Sequence, residues 1–296
     1  MDINFEYYKI FYYVAKYGNI TKAAAALGSN QPNVTRTMKL LESRLSCRLF
    51  IREARGVSLT EDGQRLFYHV EIAYNHLLKA QQEIGPREFD GAGTVEIGAT
   101  ETALHLCLLD AMADFREQYP RVRVKIHNHT NLEILKYLTG GRLDFAVITT
   151  PFDVEKPFHR EKLMTFQEIL VGGPQYAHVG KEKIDLDGLK DFPWIGLGKG
   201  TATYEFYKNF FACLGADIEL DMEVATSDLM LPLIRDNLGI GFVPEALARP
   251  FLDQKQLVAL DFGLAAPPRA IEIISDRGRG KNGAAEHFRR YLKQRF

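Results

Sequence analysis

Between residues 31 and 39 lie side chains of the kinds that read nucleic acid: Gln31, Asn33 and Thr35 offer amides and a hydroxyl, Arg36 and Lys39 offer cations. Amides and guanidinium groups hydrogen-bond base edges in a major groove, and cations hold phosphates. The same segment carries Val34, Met38, Leu41 and Leu45 at spacings of 4, 3 and 4, the buried stripe of a helix. At about 100° per residue, Pro32, Arg36, Lys39 and Ser43 point away from that stripe, with Asn33 and Thr35 flanking it. On an isolated helix such a face is simply solvated, so its neighbours decide what it means.

Those neighbours form a pattern. Phe5, Tyr8, Phe11, Tyr12 and Ala15 make one apolar face of a helix over residues 3–17, and Gly18-Asn19 ends it. Thr21 is placed to N-cap a short second helix through Leu27, Gly28 makes the turn, and Pro32 sits in the first turn of the third helix. Beyond it, Leu49 to Arg52, a turn at Ala54-Arg55-Gly56 and Val57 to Leu59 read as a hairpin, placing Arg52 and Arg55 where a wing meets a phosphate backbone or minor groove. Charge follows the same division. Residues 1–65 carry ten Lys/Arg against six Asp/Glu, so with a chain total of -1 the front is +4 and the remainder -5. A basic front of this length fits a polyanion-binding module joined to something that is not one.

The acidic remainder offers hydroxyls. From Thr94 onward, short apolar runs alternate with helical patterns, which implies a mostly parallel sheet, and about 200 residues imply two lobes. Strands are expected at 94–99, 122–127, 144–149, 168–171, 194–197, 222–225, 241–243, 257–260 and 271–275, with helices near 103–119, 132–138, 205–214 and 229–237. Ligands of such sheets sit beyond strand C-termini, against helix N-termini. There stand Thr100, Glu101 and Thr102 after the first strand, Thr130 after the second and Thr149 and Thr150 after the third. Thr201 and Thr203 follow a glycine-rich loop, and Thr226 and Ser227 a later strand. The set suits a small polar or anionic metabolite, with Glu101 arguing against a highly charged anion. Each hydroxyl taken singly is also a common helix cap.

Between the two halves, Thr60-Glu61-Asp62 is a good helix start, and the helix should run to about Ile84. Leu66, Val70, Ala73, Leu77, Ala80 and Ile84 recur at spacings of 4, 3, 4, 3 and 4, which is either a dimer seam or a face packed on its own domain. Gly85-Pro86 and Gly91-Ala92-Gly93 complete a linker.

Other chemistries find little support. Cys47, Cys107 and Cys213 are odd in number and far apart, so neither a disulfide framework nor a CxxC site is indicated. Gly196-Leu197-Gly198-Lys199-Gly200-Thr201 fits neither the dinucleotide nor the Walker pattern, His127-x-His129 lacks the partners of a metal site, and Gly-x-Ser-x-Gly is absent. No cofactor, metal or catalytic residue is assigned. Without a membrane-length apolar run, and with Asp2 and Glu6 where a secretory signal would be basic then apolar, a cytoplasmic protein is expected. A solute-binding protein would fit the second half but not the basic front, and a fused enzyme would need a catalytic constellation.

The residues of the front resemble the LysR-type transcriptional regulators. The match runs through Phe11-x-x-Val14-Ala15, Thr21-x-Ala23-Ala24-x-x-Leu27, Gln31-Pro32-x-Val34-Thr35-Arg36, Leu41-Glu42-x-x-Leu45, Leu49-Phe50-x-Arg52 and Leu59-Thr60-x-x-Gly63. Thr35 stands where the family usually has Ser, and Ser46 where it usually has Gly. Looser matches follow at Ile97-Gly98, Phe115-x-x-x-Tyr119-Pro120, Gly141-x-Leu143-Asp144-x-Ala146 and Gly239-x-Gly241-x-x-Pro244. The resemblance implies an α+β multidomain chain: a winged helix-turn-helix (1–60), a linker and dimerisation helix (61–90), and a two-lobed α/β periplasmic-binding-protein-like effector domain (91–296). The first lobe would hold about 91–162 and 268–296, and the second about 163–267. It implies double-stranded DNA with a roughly two-fold operator, a small-molecule effector, a homodimer through the linker helix and a tetramer built from it. RNA polymerase is a further partner, and no membrane is involved.

Overall fold

The computed structural model describes residues 3–53, 56–83, 89–181, 184, 186, 188–276 and 282–296, which fall into two compact units that divide near residue 85. The expected site residues Arg55 and Ile84 lie outside the described residues.

In the first unit, α1 (Phe5–Tyr17) is capped by Asn4 and buries Phe11 and Val14 completely. Next, α2 (Ile20–Ala26) is capped by Asn19, whose Oδ1 accepts from Lys22 N at 3.0 Å. Thr21 is therefore not the cap: the extended Asn19 starts the helix two residues earlier and leaves Thr21 exposed on its first turn. Gly28 turns the chain with φ +61°, and Asn30 caps α3 (Gln31–Leu45), which buries Val34, Met38 and Leu41. The hairpin forms as β1 (Phe50–Glu53) and β2 (Gly56–Leu59), antiparallel with Phe50 opposite Leu59. Thr60 Oγ1 then accepts from Gly63 N at 3.0 Å and opens α4 (Glu61–Glu83).

The apolar stripe of α4 divides between two surroundings. Leu66 and Val70, with Phe67 and Tyr74, pack into the core of the first unit, where the Tyr12 ring meets Tyr74 at 4.8 Å and Phe67 at 5.9 Å. Ala73 and Leu77 are exposed and Ala80 is half-buried. Leu66 and Val70 thus take the other alternative, packing on their own domain, and a domain division after residue 60 would cut through this core.

The second unit holds two lobes. The first lobe is a five-stranded sheet of order β4-β3-β5-β12-β6, made of β3 (Ala92–Ala99), β4 (Arg121–Asn128), β5 (Phe145–Thr149), β6 (Phe158–Phe166) and β12 (Arg269–Asp276). Strand β3 is parallel to β4 and β5, whereas β12 runs antiparallel to β5 and β6. Four of its strands, β3, β4, β5 and β6, run in one sense as expected, and β12 makes the sheet mixed, because the chain leaves for the second lobe after β6 and returns to insert β12 in the opposite sense. Both faces of β5 are covered: Phe145 and Val147 pack on one side with Phe115 and Phe288, and Ala146 and Ile148 on the other with Ile134 and Leu138.

The layers over this sheet come from a broken helix and from two others. The expected helix over 103–119 is α5 (Glu101–Ala103), a π segment (Leu104–Leu108) and α6 (Leu109–Gln118). The opposite face carries α7 (Asn131–Thr139), and α11 (Gly283–Arg295) returns beside α6. In the second lobe, β7 (Glu168–Gly172) lies between β10 (Ile240–Pro244) and β11 (Val258–Ala259), antiparallel to both. A parallel pair, β8 (Ile195–Leu197) with β9 (Met222–Val224), joins through a bridge between Trp194 and Ile240. Helices α8 (Ala202–Cys213), α9 (Met230–Arg235) and α10 (Glu245–Asp253) cover it. The lobes exchange chain between β6 and β7, at Gln167, and just before β12. The first crossing therefore comes about four residues later than the expected 163, because the edge strand β6 still belongs to the first lobe.

Candidate nucleic-acid interface and ligand cavity

The third helix presents the expected face. Gln31, Pro32, Asn33, Arg36 and Lys39 are exposed and Thr35 is half-buried. Its start is tightly held: Asn30 Oδ1 accepts from Asn33 N at 2.9 Å, and Asn33 Nδ2 donates to Ser29 Oγ at 3.2 Å. The wing is anchored to the same helix by Glu42, a residue of the family match to which the sequence alone gave no role. Glu42 Oε1 accepts from the backbone N–H of Leu49 at 2.8 Å and of Phe50 at 3.2 Å, so one side chain of α3 sets where β1 begins. Val57 N donates to Gly18 O at 2.9 Å and ties the second strand to the end of α1. At Gly63 a Cβ would stand 2.1 Å from Leu49 O, which requires glycine where α4 crosses the root of the wing. Arg52 is exposed on β1, on a frame that fixes it relative to α3.

The hydroxyls of the second unit separate into groups. Thr102, Thr203 and Ser227 line one cavity of about 480 Å3. Glu101 Oε2 accepts from Ser227 Oγ at 2.9 Å and from Asp228 N at 3.3 Å, and His105 Nε2 lies 2.7 Å from Asp228 Oδ1. These contacts join the lobes across their cleft. Thr149 and Thr150 serve a second cluster instead. Arg269 donates through Nε to Thr150 O at 2.6 Å, through Nη2 to Thr149 Oγ1 at 3.4 Å and through Nη1 to Glu168 Oε2 at 3.0 Å. Tyr207 OH donates to the same Glu168 oxygen at 2.7 Å. Burial, with the adjacent Glu168 carboxylate, pushes the Tyr207 phenol well above its usual range and keeps it a donor.

Four of the expected hydroxyls are spent locally or are not drawn into the cavity. Thr201 Oγ1 caps α8 by accepting from Tyr204 N at 3.2 Å. Thr130 bonds Glu133, and that hydroxyl holds the Glu133 carboxyl below its ordinary value. Thr226 precedes the 3-10 turn Ser227–Leu229 without a side-chain cap. Thr100 Oγ1 is buried without a hydrogen-bond partner beside the start of α5.

Most of the cavity wall was not anticipated. Except for Thr102 and His105 it belongs to the second lobe, and it is aromatic and aliphatic, including Trp194, Tyr204, Tyr207, Phe211, Phe242 and Phe251. The signal was present in α8, where Tyr204, Tyr207, Lys208 and Phe211 stand at i, i+3, i+4 and i+7 and so share the face that lines it. His105 arrives from the π segment. Among the described residues no group of His, Cys, Asp and Glu could hold a metal ion, and no helix is long and apolar enough to cross a membrane.

Comparison with known proteins matches this geometry in both halves. Residues 5–64 match the bacterial regulatory helix-turn-helix protein family, lysR, and residues 90–296 match the LysR substrate binding domain.

The chain belongs to the LysR family.

This LysR-type regulator is a DNA-binding transcription factor with an effector-binding domain, as the two matched models together specify. It is 28% identical over 252 residues to the HTH-type transcriptional regulator YofA of Bacillus velezensis, covering 84% of this chain and 83% of that one. It is 22% identical over 293 residues to the RuBisCO operon transcriptional regulator of Allochromatium vinosum, covering 99% and 96%. Among solved structures, full-length OxyR from Pseudomonas aeruginosa, a variant, superposes with a TM-score of 0.71 at 16% identity, covering 99% and 95%. Full-length CbnR in complex with its target DNA superposes with a TM-score of 0.67 at 18% identity, covering 99% of each chain. At these identities the two structures establish that the LysR-type fold runs the length of the chain.

Proposed function

We propose that this regulator binds a roughly two-fold site on double-stranded DNA as a homo-oligomer, and that a small molecule held between the lobes of its second unit changes that binding and so transcription. The exposed face of α3 carries the reading: Gln31, Asn33 and Arg36 project amides and a guanidinium from a helix whose start and wing are hydrogen-bonded in place. Gln31, Pro32, Asn33, Thr35 and Arg36 address base edges, while Thr21, Lys39, Arg52 and Arg55 address the backbone.

The dimer seam in this reading is shorter than the full stripe. Ala73 and Leu77 are exposed and Ala80 half-exposed along one side of α4, and pairing there, continued by Ile84, would join two copies without disturbing Leu66 and Val70. Dimers would associate further into a tetramer, and RNA polymerase would be met at the promoter. The protein acts in the cytoplasm and carries out no catalysis. At the ligand site, Thr102, Thr203 and Ser227 face the bound molecule with Glu101 at its rim, and Thr149 and Thr150 act through Arg269. A ligand that separates Glu101 from Ser227 has different affinities for the open and closed lobes, which is the condition for coupling to the DNA-bound state.

The test is protection of genomic fragments, including the region upstream of the protein's own gene, at low and moderate salt with non-specific competitor. Competitor-resistant protection of a two-fold site is expected. Weak association that vanishes steeply with salt would reduce the first unit to a generic basic module.

A further inference from the structure

We infer that the cavity of the second lobe is a chamber for a neutral, planar aromatic compound carrying a hydrogen-bond donor, and that it selects against the anionic form of the same skeleton. The inference rests on the effector reading and narrows the ligand class.

Size and wall come first. At about 480 Å3 the cavity lies within the roughly 300–1,000 Å3 of small-molecule pockets, and its wall is built from rings. Trp194 and Phe242 stack at 6.1 Å, Tyr207 and Phe242 at 4.4 Å, and Trp194 meets Phe211 edge-on at 5.5 Å. Rings so arranged present flat faces and edges that a planar guest can continue at the usual offset or T-shaped spacing.

The polar groups of the wall then discriminate. Both hydrogen bonds to the buried Glu168 carboxylate, from Tyr207 and Arg269, fall on Oε2, leaving Oε1 to accept from a guest. Asp217 and Asp228 also line the cavity, and the carboxylate of Glu101 sits on Ser227 and Asp228 N. Against these, Lys208 is the lysine or arginine of the wall among the described residues, while Arg269 is already paired with Glu168 and His105 with Asp228. An anionic group brought inside would be desolvated among carboxylates, and the Ser227 hydroxyl and Asp228 N–H that could receive it are already held by Glu101. A neutral N–H or O–H donor meets Glu168 without that cost.

The molecule carries its own reporter, since Trp194 is the one tryptophan of the sequence and lines the cavity. The probes are N-phenyl-1-naphthylamine, a neutral diaryl amine with one N–H, and 8-anilino-1-naphthalenesulfonate, the same skeleton with a sulfonate. Titrated into the full-length protein, the neutral probe should quench Trp194 emission saturably, with its own sensitised emission rising in step, and the sulfonate should bind at least tenfold more weakly. Leu247→Phe, which adds a ring to the lining, and Tyr204→Ala, which removes one, should each weaken the neutral probe at least fivefold while thermal melts report a folded protein. The chamber is overturned if quenching does not saturate, if the sulfonate binds as tightly, or if folded variants bind unchanged. The effector reading is scored separately by repeating the DNA-protection assay at saturating neutral probe. A filled chamber with unaltered protection would count against control of DNA binding from this cavity and leave the ligand class standing.

Discussion

The two functional surfaces of this regulator are built on opposite plans. On α3 the side chains that would read DNA are exposed, and the hydrogen bonds that matter are those that fix the frame, from Asn30 at its start and from Glu42 to the root of the wing. In the second unit the polar side chains are spent on one another: Glu101 with Ser227, His105 with Asp228, and Glu168 with Tyr207 and Arg269. The difference follows from the partner. A polyanion brings its own charge to a solvated surface and is met by side chains that need only be aimed. A small guest must be taken out of water, so most polar groups of its chamber are satisfied within the protein, and the few left open, such as Glu168 Oε1, are those that can meet it.

If that contrast is right, substitutions in the two regions should fail differently. The largest effect is expected from Arg269→Ala, which leaves the Glu168 carboxylate buried without its ion-pair partner. The second unit should lose about 3–5 kcal/mol in denaturant unfolding, and Arg269→Met with Glu168→Leu should recover much of it. A double variant no more stable than the single one would mean that the cluster contributes by packing and not by charge compensation.

Arg36→Ala comes next and should act on the other quantity. It should weaken binding to a protected DNA site by about 1–3 kcal/mol, roughly ten- to a hundredfold, with unfolding unchanged. Loss of stability without loss of affinity would remove α3 as the reading helix.

A smaller effect concerns pH. Burial pushes the Glu161 carboxyl up, but Arg289 at 2.6 Å and Lys293 at 3.4 Å outweigh it and hold it below its ordinary value. A carboxylate depressed in the fold contributes stability above its unfolded pKa of about 4.3 and loses it as pH falls through the folded value. Glu161→Gln should therefore cost about 1 kcal/mol near pH 7, and the difference from wild type should close in acid. A gap constant with pH would assign the loss to geometry alone.

The smallest effect should come from Ser46→Gly. Ser46 ends α3 in the left-handed conformation, with φ +54° and its N–H shared between Glu42 O and Ser43 O. Glycine adopts that conformation without a Cβ clash, and the first unit should gain about 0.5–1 kcal/mol in a thermal melt. The DNA affinity should stay as it was.

Local periodicity determined the first unit. Residues Val34, Met38 and Leu41 declared both the helix and its opposite face, because burial on α3 repeats with the helical turn and neighbours in sequence are neighbours in space. The hairpin and the start of α4 were legible for the same reason. Where the determinants were non-local, the sequence was silent or ambiguous. Edge strand β6 alternates weakly and is recognisable only by its pairing with β12, more than a hundred residues away. The stripe of α4 is one pattern, yet the core of the first unit takes in Val70 and Tyr74, the latter against Tyr12 and Tyr13, and leaves Ala73 and Leu77 outside. The hydroxyls stood at strand ends as a class, but only the meeting of the lobes separated Ser227, bonded to Glu101, from Thr201, consumed as a cap. Arg269 and Glu168, 101 positions apart, become a pair because β7 and β12 both begin where the chain crosses between lobes. The sequence alone determined where the chain turns, which faces are apolar and to which family it belongs. Tertiary structure decided which polar groups would be buried together, because desolvation is a property of the assembled neighbourhood and not of any stretch of chain.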